Sequence, residues 1–427
     1  MREKIVEWVK TSLIALLTVS ALMLGWQTGL FSGFFRAIPV FGGVAELVRG
    51  AAASVATEPG GAPTKEAALP LIIVITNEEG ERYGVKYDVP ARNAVYVRTS
   101  SIFSEALGSA SMPRRVNQDE WRTALSRPGV YFEYITPVKL SVLDGWLGTR
   151  LPDTMSDVSL RRVFIAFGED RSRIYYQDSE TGYYFRAETA SSAGKAQELR
   201  IYNPNGAQFA FETGVSTAED APYVLIQPGS DYQEIRAAST GNAEELLDMV
   251  LYAMGHSNET YTTYYRDGAH VRVGVQFQIR ADALGRVVYR RTDISPLSSE
   301  DRSPSDSEMI EKARVITADT LGIAGNGAEV FFETLEHGPG EAVSAFFGYY
   351  IAGGRIHLYE DGHAARVTFI EGIVSEIELV FRTFTLSGEF TRLLPERLAL
   401  AAAGGEFILC YSDTGTERLQ PAWILHN

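Results

Sequence analysis

The chain has 427 residues, 45% of them hydrophobic and 11% aromatic, which is enough apolar mass for packed cores and too much for a disordered stalk. That length calls for two or three domains. A formal net charge of −15 argues against nucleic acid, whose binding rests on neutralising phosphates with Lys and Arg, and the single cysteine, Cys410, forbids an intrachain disulfide.

The first element is Thr11–Phe35, a stretch without Asp, Glu, Lys or Arg. At about 1.5 Å per residue, a helix of that length crosses a hydrocarbon core of roughly 30 Å. In lipid only a helix satisfies all its backbone groups within one segment. Trp26, Phe31, Phe34 and Phe35 fall towards one end, where aromatic rings favour the membrane interface. Arg2, Lys4 and Lys10 precede the span, which places residues 1–10 in the cytoplasm and everything after Phe35 outside it. Val19-Ser20-Ala21 offers a peptidase site, but Leu22-Met23-Leu24 continues the apolar run past it, so retention as an anchor is favoured. Ala21, Gly25, Gly29 and Gly33 recur every four residues and form a small-residue stripe on which a partner's spanning helix can approach closely. Glycine is also common in spanning helices, so the stripe fits a plain anchor too.

Residues 36–69 mix Gly42-Gly43, Ala51–Ala53 and Pro59-Gly60-Gly61-Ala62-Pro63 and read as a juxtamembrane linker, with a short amphipathic piece near 44–55. Residues 70–240 form a β-rich exported domain. Leu71–Thr76, 133–140 and 162–167 are strand-like, and 173–176 with 183–186 suggest a meander. Short helices are expected at 101–108 and 118–126, the second acidic in its first turn. A helix at 243–252, with Asn242 as its cap and Gly255 as its stop, opens a central α+β unit at 241–318. A second helix at about 307–321 leads into a C-terminal α+β unit at 319–427. Cys410 lies in an apolar run that reads as a buried strand. The expected architecture is thus α+β: one transmembrane helix, a β-rich domain, and two smaller units of helix plus antiparallel sheet.

Tyr265-x-Asp267-Gly268-x-x-x-Arg272-Val273 is echoed by Tyr359-x-Asp361-Gly362-x-x-x-Arg366-Val367. In each, Asp-Gly supplies the φ > 0 residues of a two-residue hairpin turn. In the second hairpin Glu360 would pair with His363 and His357 with Arg366, which sends the two imidazoles to opposite faces and denies them a shared metal.

Motifs for chemistry are missing. There is no Gly-x-Ser-x-Gly elbow; the 60–65 stretch lacks the Gly-Lys-Ser/Thr ending of a phosphate loop; Gly322–Gly327 ends a helix where a dinucleotide loop would open one; and Ser192-x-x-Lys195 has no Lys-Thr-Gly partner. Carboxylates are spread through apparent turns and loops. The reading is a binding or regulatory protein with no catalytic, cofactor or metal site. An exported envelope enzyme or assembly factor is the alternative class.

The layout resembles the YycH/YycI family of membrane-anchored regulators, which act on the WalK-type sensor kinase of Gram-positive bacteria. The residues that carry the resemblance are Tyr265-x-Asp267-Gly268 followed by Val275-x-Phe277-x-Ile279, then Gly285-Arg286-Val287-Val288-Tyr289, the helix near 307–321, the strands Phe347–Tyr350 and 367–381, and the ending Leu419-x-Pro421-Ala422-Trp423. The resemblance implies modulation of a sensor histidine kinase through spanning helices and exported domains, with a paralogous anchored regulator as a second partner and no enzymatic activity.

The apolar run passes each candidate cleavage site, so the mature protein is expected to keep Met1–Phe35 and to fractionate with membranes. N-terminal sequencing that begins at Leu22 or later would refute this.

Overall fold

The computed structural model describes residues 65–427 apart from 191–193, 215–222, 227–230, 240, 257, 294–303, 325–326, 359–361, 404–405 and 426–427. Thr11–Phe35, with its stripe of Ala21, Gly25, Gly29 and Gly33, lies outside the described residues, as does the 44–55 piece. Among the described residues no helix is long and apolar enough to cross a membrane.

The first sheet is antiparallel and contains β1 (Ile72–Thr76), β2 (Arg82–Val85), β3 (Arg114–Val116), β4 (Gly129–Lys139), β5 (Ser159–Ala166), β6 (Arg173–Asp178) and β7 (Tyr184–Glu188). Its order is β2-β1-β4-β5-β6-β7-β3, so the meander runs from β4 to β7. Helices α1 (Val89–Gly108), α2 (Gln118–Leu125) and α3 (Leu140–Leu147) cover it. The apolar run in β1 follows from burial on both sides. Ile73 and Ile75 pack with Phe103 of α1 and Leu143 of α3, while Ile72 and Val74 pack with Trp121 of α2.

Local chemistry sets these helices. Asn117 caps α2 by accepting from the Glu120 N–H, with Asp119 and Glu120 in the first turn. Helix α1 begins well before the expected Ser101: Asp88 accepts from the Ala91 N–H, and Pro90 sits in the first turn, where its missing N–H has no intrahelical partner to lose. Helix α3 begins at Leu140, where extended chain was expected to end. Its apolar residues suit a strand or a helix, and burial beside α1 decides for the helix.

Helix α4 (Gly194–Glu198) and the short pair β8 (Gln208–Phe209) and β9 (Val224–Leu225) lead to β10 (Asp231–Ser239). Helix α5 (Ala243–Ala253) has the predicted Asn242 cap, and Gly255 at φ 79 ends it. There follow β11 (Thr262–Arg266), β12 (Ala269–Val273), β13 (Phe277–Asp282), β14 (Arg286–Arg291), α6 (Asp306–Ala324), β15 (Glu329–His337), β16 (Ala342–Ile351), β17 (Gly354–Leu358), β18 (Ala365–Ile370) and β19 (Ile373–Val380). The chain closes with β20 (Arg382–Arg392), α7 (Glu396–Ala403), β21 (Phe407–Asp413), β22 (Arg418–Leu419) and β23 (Pro421–Leu425).

An 11-stranded sheet runs β11-β12-β13-β14-β19-β18-β16-β17-β21-β23, with β15 also paired to β16, and a separate sheet runs β20-β10-β22. Helices α5 and α6 bury one face of the large sheet: Leu247, Val250, Ala313 and Ile316 meet Phe277, Ile279, Tyr289 and Ile377. The expected boundary at 318/319 falls inside α6. The pairing of β14 with β19 joins strands from its two sides into one sheet. The body is therefore α+β and rich in strands. Cys410 is buried in β21, as its apolar neighbours suggested.

The two Asp-Gly segments differ. Asp267 (φ 51) and Gly268 (φ 75) close a tight hairpin between β11 and β12. Gly362 also has φ 75, but its bridge to Leu358 is isolated, and β17 pairs with β16 and β21. The expected pairing of His357 with Arg366 is not formed. Strand β15 occupies one edge of β16, while β18 pairs with residues 342–347 and β17 with residues 349–351 along the other. A long central strand with room for both partners outcompetes a local hairpin.

The two cores meet along α6 and β15. Ile310 of α6 lies in the core of the first sheet, and Phe332 and Leu335 of β15 pack against both cores. Ion pairs surround this seam: Lys86–Glu396 (3.0 Å), Arg92–Glu329 (2.6 Å), Lys139–Asp306 (2.8 Å), Arg161–Glu406 (3.1 Å) and Arg162–Glu406. Every one of these cations comes from the first-sheet side and every carboxylate from the large-sheet side. Trp146 adds an N–H donated to Glu311 (2.8 Å), and Tyr87 donates its hydroxyl to Glu396.

Lys86 and Glu396 are both buried. Lys86→Met strands a buried carboxylate and should cost about 3–5 kcal/mol in a urea titration of the full chain. Adding Glu396→Gln should recover part of that loss. Breaking the exposed Arg200–Glu78 pair should leave the midpoint nearly unchanged.

Candidate functional site

The period of two along a strand sends Ile279, Val287, Tyr289, Ile377 and Leu379 towards α5 and α6. The intervening Gln278, Arg280, Arg286, Val288, Arg290, Glu376, Glu378 and Val380 therefore form the opposite, open face. Register places Gln278 opposite Arg290, Arg290 opposite Glu376, Val288 opposite Glu378, and Glu378 opposite Arg366. Cross-strand neighbours of this kind interact. Arg290 donates to Glu376 at 2.8 Å, and Arg366 lies 2.8 Å from Glu378 and 3.3 Å from Glu376. Arg286 donates to Glu378 at 3.4 Å.

One end of this face deepens into a cleft of about 750 Å³, walled by β13, β14, β19 and the 413–415 turn. Its far wall is an anchored ion pair: Arg382 donates twice to Asp413, at 2.8 Å and 2.8 Å, and once to the Ser239 hydroxyl at 3.3 Å. The Gly415 N–H also donates to Asp413, at 2.9 Å. The near wall is the β13–β14 turn, where Asp282 accepts the Leu284 and Arg286 N–H groups, each at 2.9 Å. Gly285 has φ 85, and a Cβ there would stand 2.5 Å from the Phe381 carbonyl oxygen, so glycine is required by conformation and by space.

His363 at the cleft margin leads to a second polar centre. Glu333 is buried in β15 and accepts from Tyr350 (3.1 Å), Arg355 Nη2 (2.8 Å) and His363 Nδ1 (2.6 Å). A Cβ on Gly348 would overlap the Glu333 carboxylate, so that glycine makes room for it. Burial alone would push Glu333 up, but the His363 hydrogen bond and the Arg355 guanidinium outweigh it and hold the carboxyl below its usual range. Glu133 beside the seam behaves the same way: burial raises it, while Arg162, Arg161 and the Tyr131 hydroxyl lower it further.

Among the described residues that line the cleft, none pairs an activated nucleophile with an adjacent base. Among the described residues no group of three His, Cys, Asp or Glu is placed to hold a metal ion. The stripe of Ala21, Gly25, Gly29 and Gly33, the one site read from the sequence, lies outside the described residues. The sequence reading also placed carboxylates in turns and loops. Glu333, Glu376 and Glu378 instead stand on strands, each ion-paired with an arginine. The available signal was alternation: Arg286-Val287-Val288-Tyr289-Arg290 and Ser375-Glu376-Ile377-Glu378 carry charge at every second or fourth position of apolar strands.

No family model and no curated protein matches the chain. Among solved structures, YycH from Bacillus subtilis matches over 85% of this chain and 94% of that chain, with a TM-score of 0.53 and 10% sequence identity. The fold is YycH-like. At that identity the likeness lies in the order and pairing of elements. The described strands and helices that make up the cleft and the seam thus belong to a YycH-like body.

Glu133, Glu333 and Asp306 all titrate low in the folded chain, Asp306 because the Lys139 hydrogen bond outweighs its partial burial. A depressed carboxylate contributes stability above its unfolded value and loses it as pH falls through the folded one. The thermal midpoint should be flat above about pH 5 and drop steadily below about pH 4.5. In Glu333→Gln that acid-dependent drop should be smaller, and circular dichroism melts across pH 3–7 check both.

Proposed function

We propose that this protein is a non-enzymatic regulator of a two-component sensor histidine kinase, anchored in the cell membrane by Thr11–Phe35 with its N-terminus cytoplasmic and its folded body outside. The observation that carries this reading is the YycH-like fold over 85% of the chain, which agrees with the family resemblance in the sequence. Regulation then works by contact. The spanning helix meets a spanning helix of the kinase, and the folded body meets the exported part of the kinase or a paralogous anchored regulator. The long sheet supports this reading by presenting a polar face and a cleft on firmly paired strands. The deciding experiment is co-purification of the tagged full-length chain with the sensor kinases of its own organism, together with measurement of each regulon after deletion of this gene. Absence of any kinase from the co-purified material, with every regulon unchanged, would refute the reading.

In lipid, helices associate through close packing of small residues, because there is little hydrophobic drive between them. Replacing Gly25 and Gly29 together with Leu keeps the span apolar while filling the stripe of Ala21, Gly25, Gly29 and Gly33. The double variant should still enter the membrane and still fold outside it, but co-purify less kinase than the parent. Equal recovery would reduce the stripe to a feature of an anchor.

A further inference from the structure

The donors and acceptors that line the cleft do not balance. Among the described residues its three carboxylates are engaged: Asp413 by Arg382, Glu378 by Arg366 and Arg286, and Asp282 through one oxygen by two backbone N–H groups. The cations are not all engaged. Arg382 and Arg286 have their acids, and Arg290 gives its Nε to Glu376 outside the cleft. Arg280 has no hydrogen-bond or ion-pair partner among the described residues, and neither does the side chain of Gln278, although both line the cleft. Register sets Gln278 directly opposite Arg290 and Arg280 opposite Val288. Arg280 is therefore diagonal to both Arg290 and Arg286, about 7–8 Å away along the same face. Arg280 thus stands between Arg286 and Arg290 on one face, and among the described residues no carboxylate reaches it. Beside them Val288 and Val380 supply an apolar floor, and Leu284 of the β13–β14 turn an apolar rim.

We propose that the cleft binds a small organic anion, with its carboxylate or phosphate oxygens held by Arg280 and by the free N–H groups of Arg290, and its carbon skeleton on the valines. The guanidinium fork matches both oxyanions in two parallel hydrogen bonds, which Lys could not supply. The cleft volume of about 750 Å³ lies in the range for small-molecule sites. In a chain of net charge −15, a local surplus of cation also concentrates anions where the rest of the surface repels them. This inference does not rest on the kinase reading, because it concerns the chain alone.

The test is isothermal titration of the purified full-length chain at fixed ionic strength in chloride, with citrate in one arm and inorganic phosphate in the other. Saturable one-site binding is expected in at least one arm, and the tighter arm identifies the oxyanion. Arg280→Gln should weaken it at least tenfold, Arg280→Lys less, and Gln278→Glu should weaken it by placing a competing carboxylate opposite Arg290. Arg236→Gln, an exposed change on β10, should leave it unchanged. The two cleft positions are exposed, so melting temperatures should match the parent. No saturable binding in either arm, or affinity unchanged in both Arg280→Gln and Gln278→Glu, overturns the proposal.

Discussion

The described body depends on a seam where charge is sorted by side. Lys86, Arg92, Lys139, Arg161 and Arg162 stand on one bank, and Glu396, Glu329, Asp306 and Glu406 on the other. Apolar contact at Ile310, Phe332 and Leu335 supplies the attraction. Hydrophobic contact is non-directional and would tolerate sliding, whereas paired buried ions tolerate little. A displaced Arg92 or Glu396 would leave a charge buried without a partner, so the ion pairs select one docking of the first sheet on the large sheet.

That docking has consequences across the large sheet. Helices α5 and α6 cover one face, and α6 also reaches across the seam through Ile310. On β13, β14 and β19 the other face is open to water and carries cross-strand Arg–Glu pairs where an all-apolar surface would invite aggregation. The β13–β14 turn is pinned to Phe381 by the Phe381 N–H donated to the Gly285 carbonyl (2.8 Å), and the 413–415 turn is pinned by Arg382. The cleft between them is thus held by backbone and buried charge, with little left to flexible side chains.

The likeness to YycH at 10% identity has a physical reading. Pairing order and the choice of buried face can persist while nearly every side chain changes, because a sheet requires alternation and volume more than particular residues. In this chain the Leu419-x-Pro421-Ala422-Trp423 ending takes its place in that way: β23 pairs with β21, and Trp423 packs on Phe407 and Tyr232. Those roles need an aromatic ring and an extended strand.

The sequence by itself determined what depends on near neighbours. Alternation and β-branched runs marked β1, β4 to β7 and β21; Asn117 and Asn242 announced their helices; Asp267-Gly268 announced its turn, because capping and positive φ are properties of a few consecutive residues. It also determined the apolar span at Thr11–Phe35, whose length and lack of charge are written in order along the chain. Tertiary structure decided the rest. Leu140–Leu147 is helical because of what buries it, and β17 abandons β18 because β16 offers a longer edge. The seam pairs residues as distant as Lys86 and Glu396, and the cleft gathers Arg280, Arg382 and Asp413 from three strands. No local spacing encodes such meetings, since each depends on which sheet faces pack together and in what register.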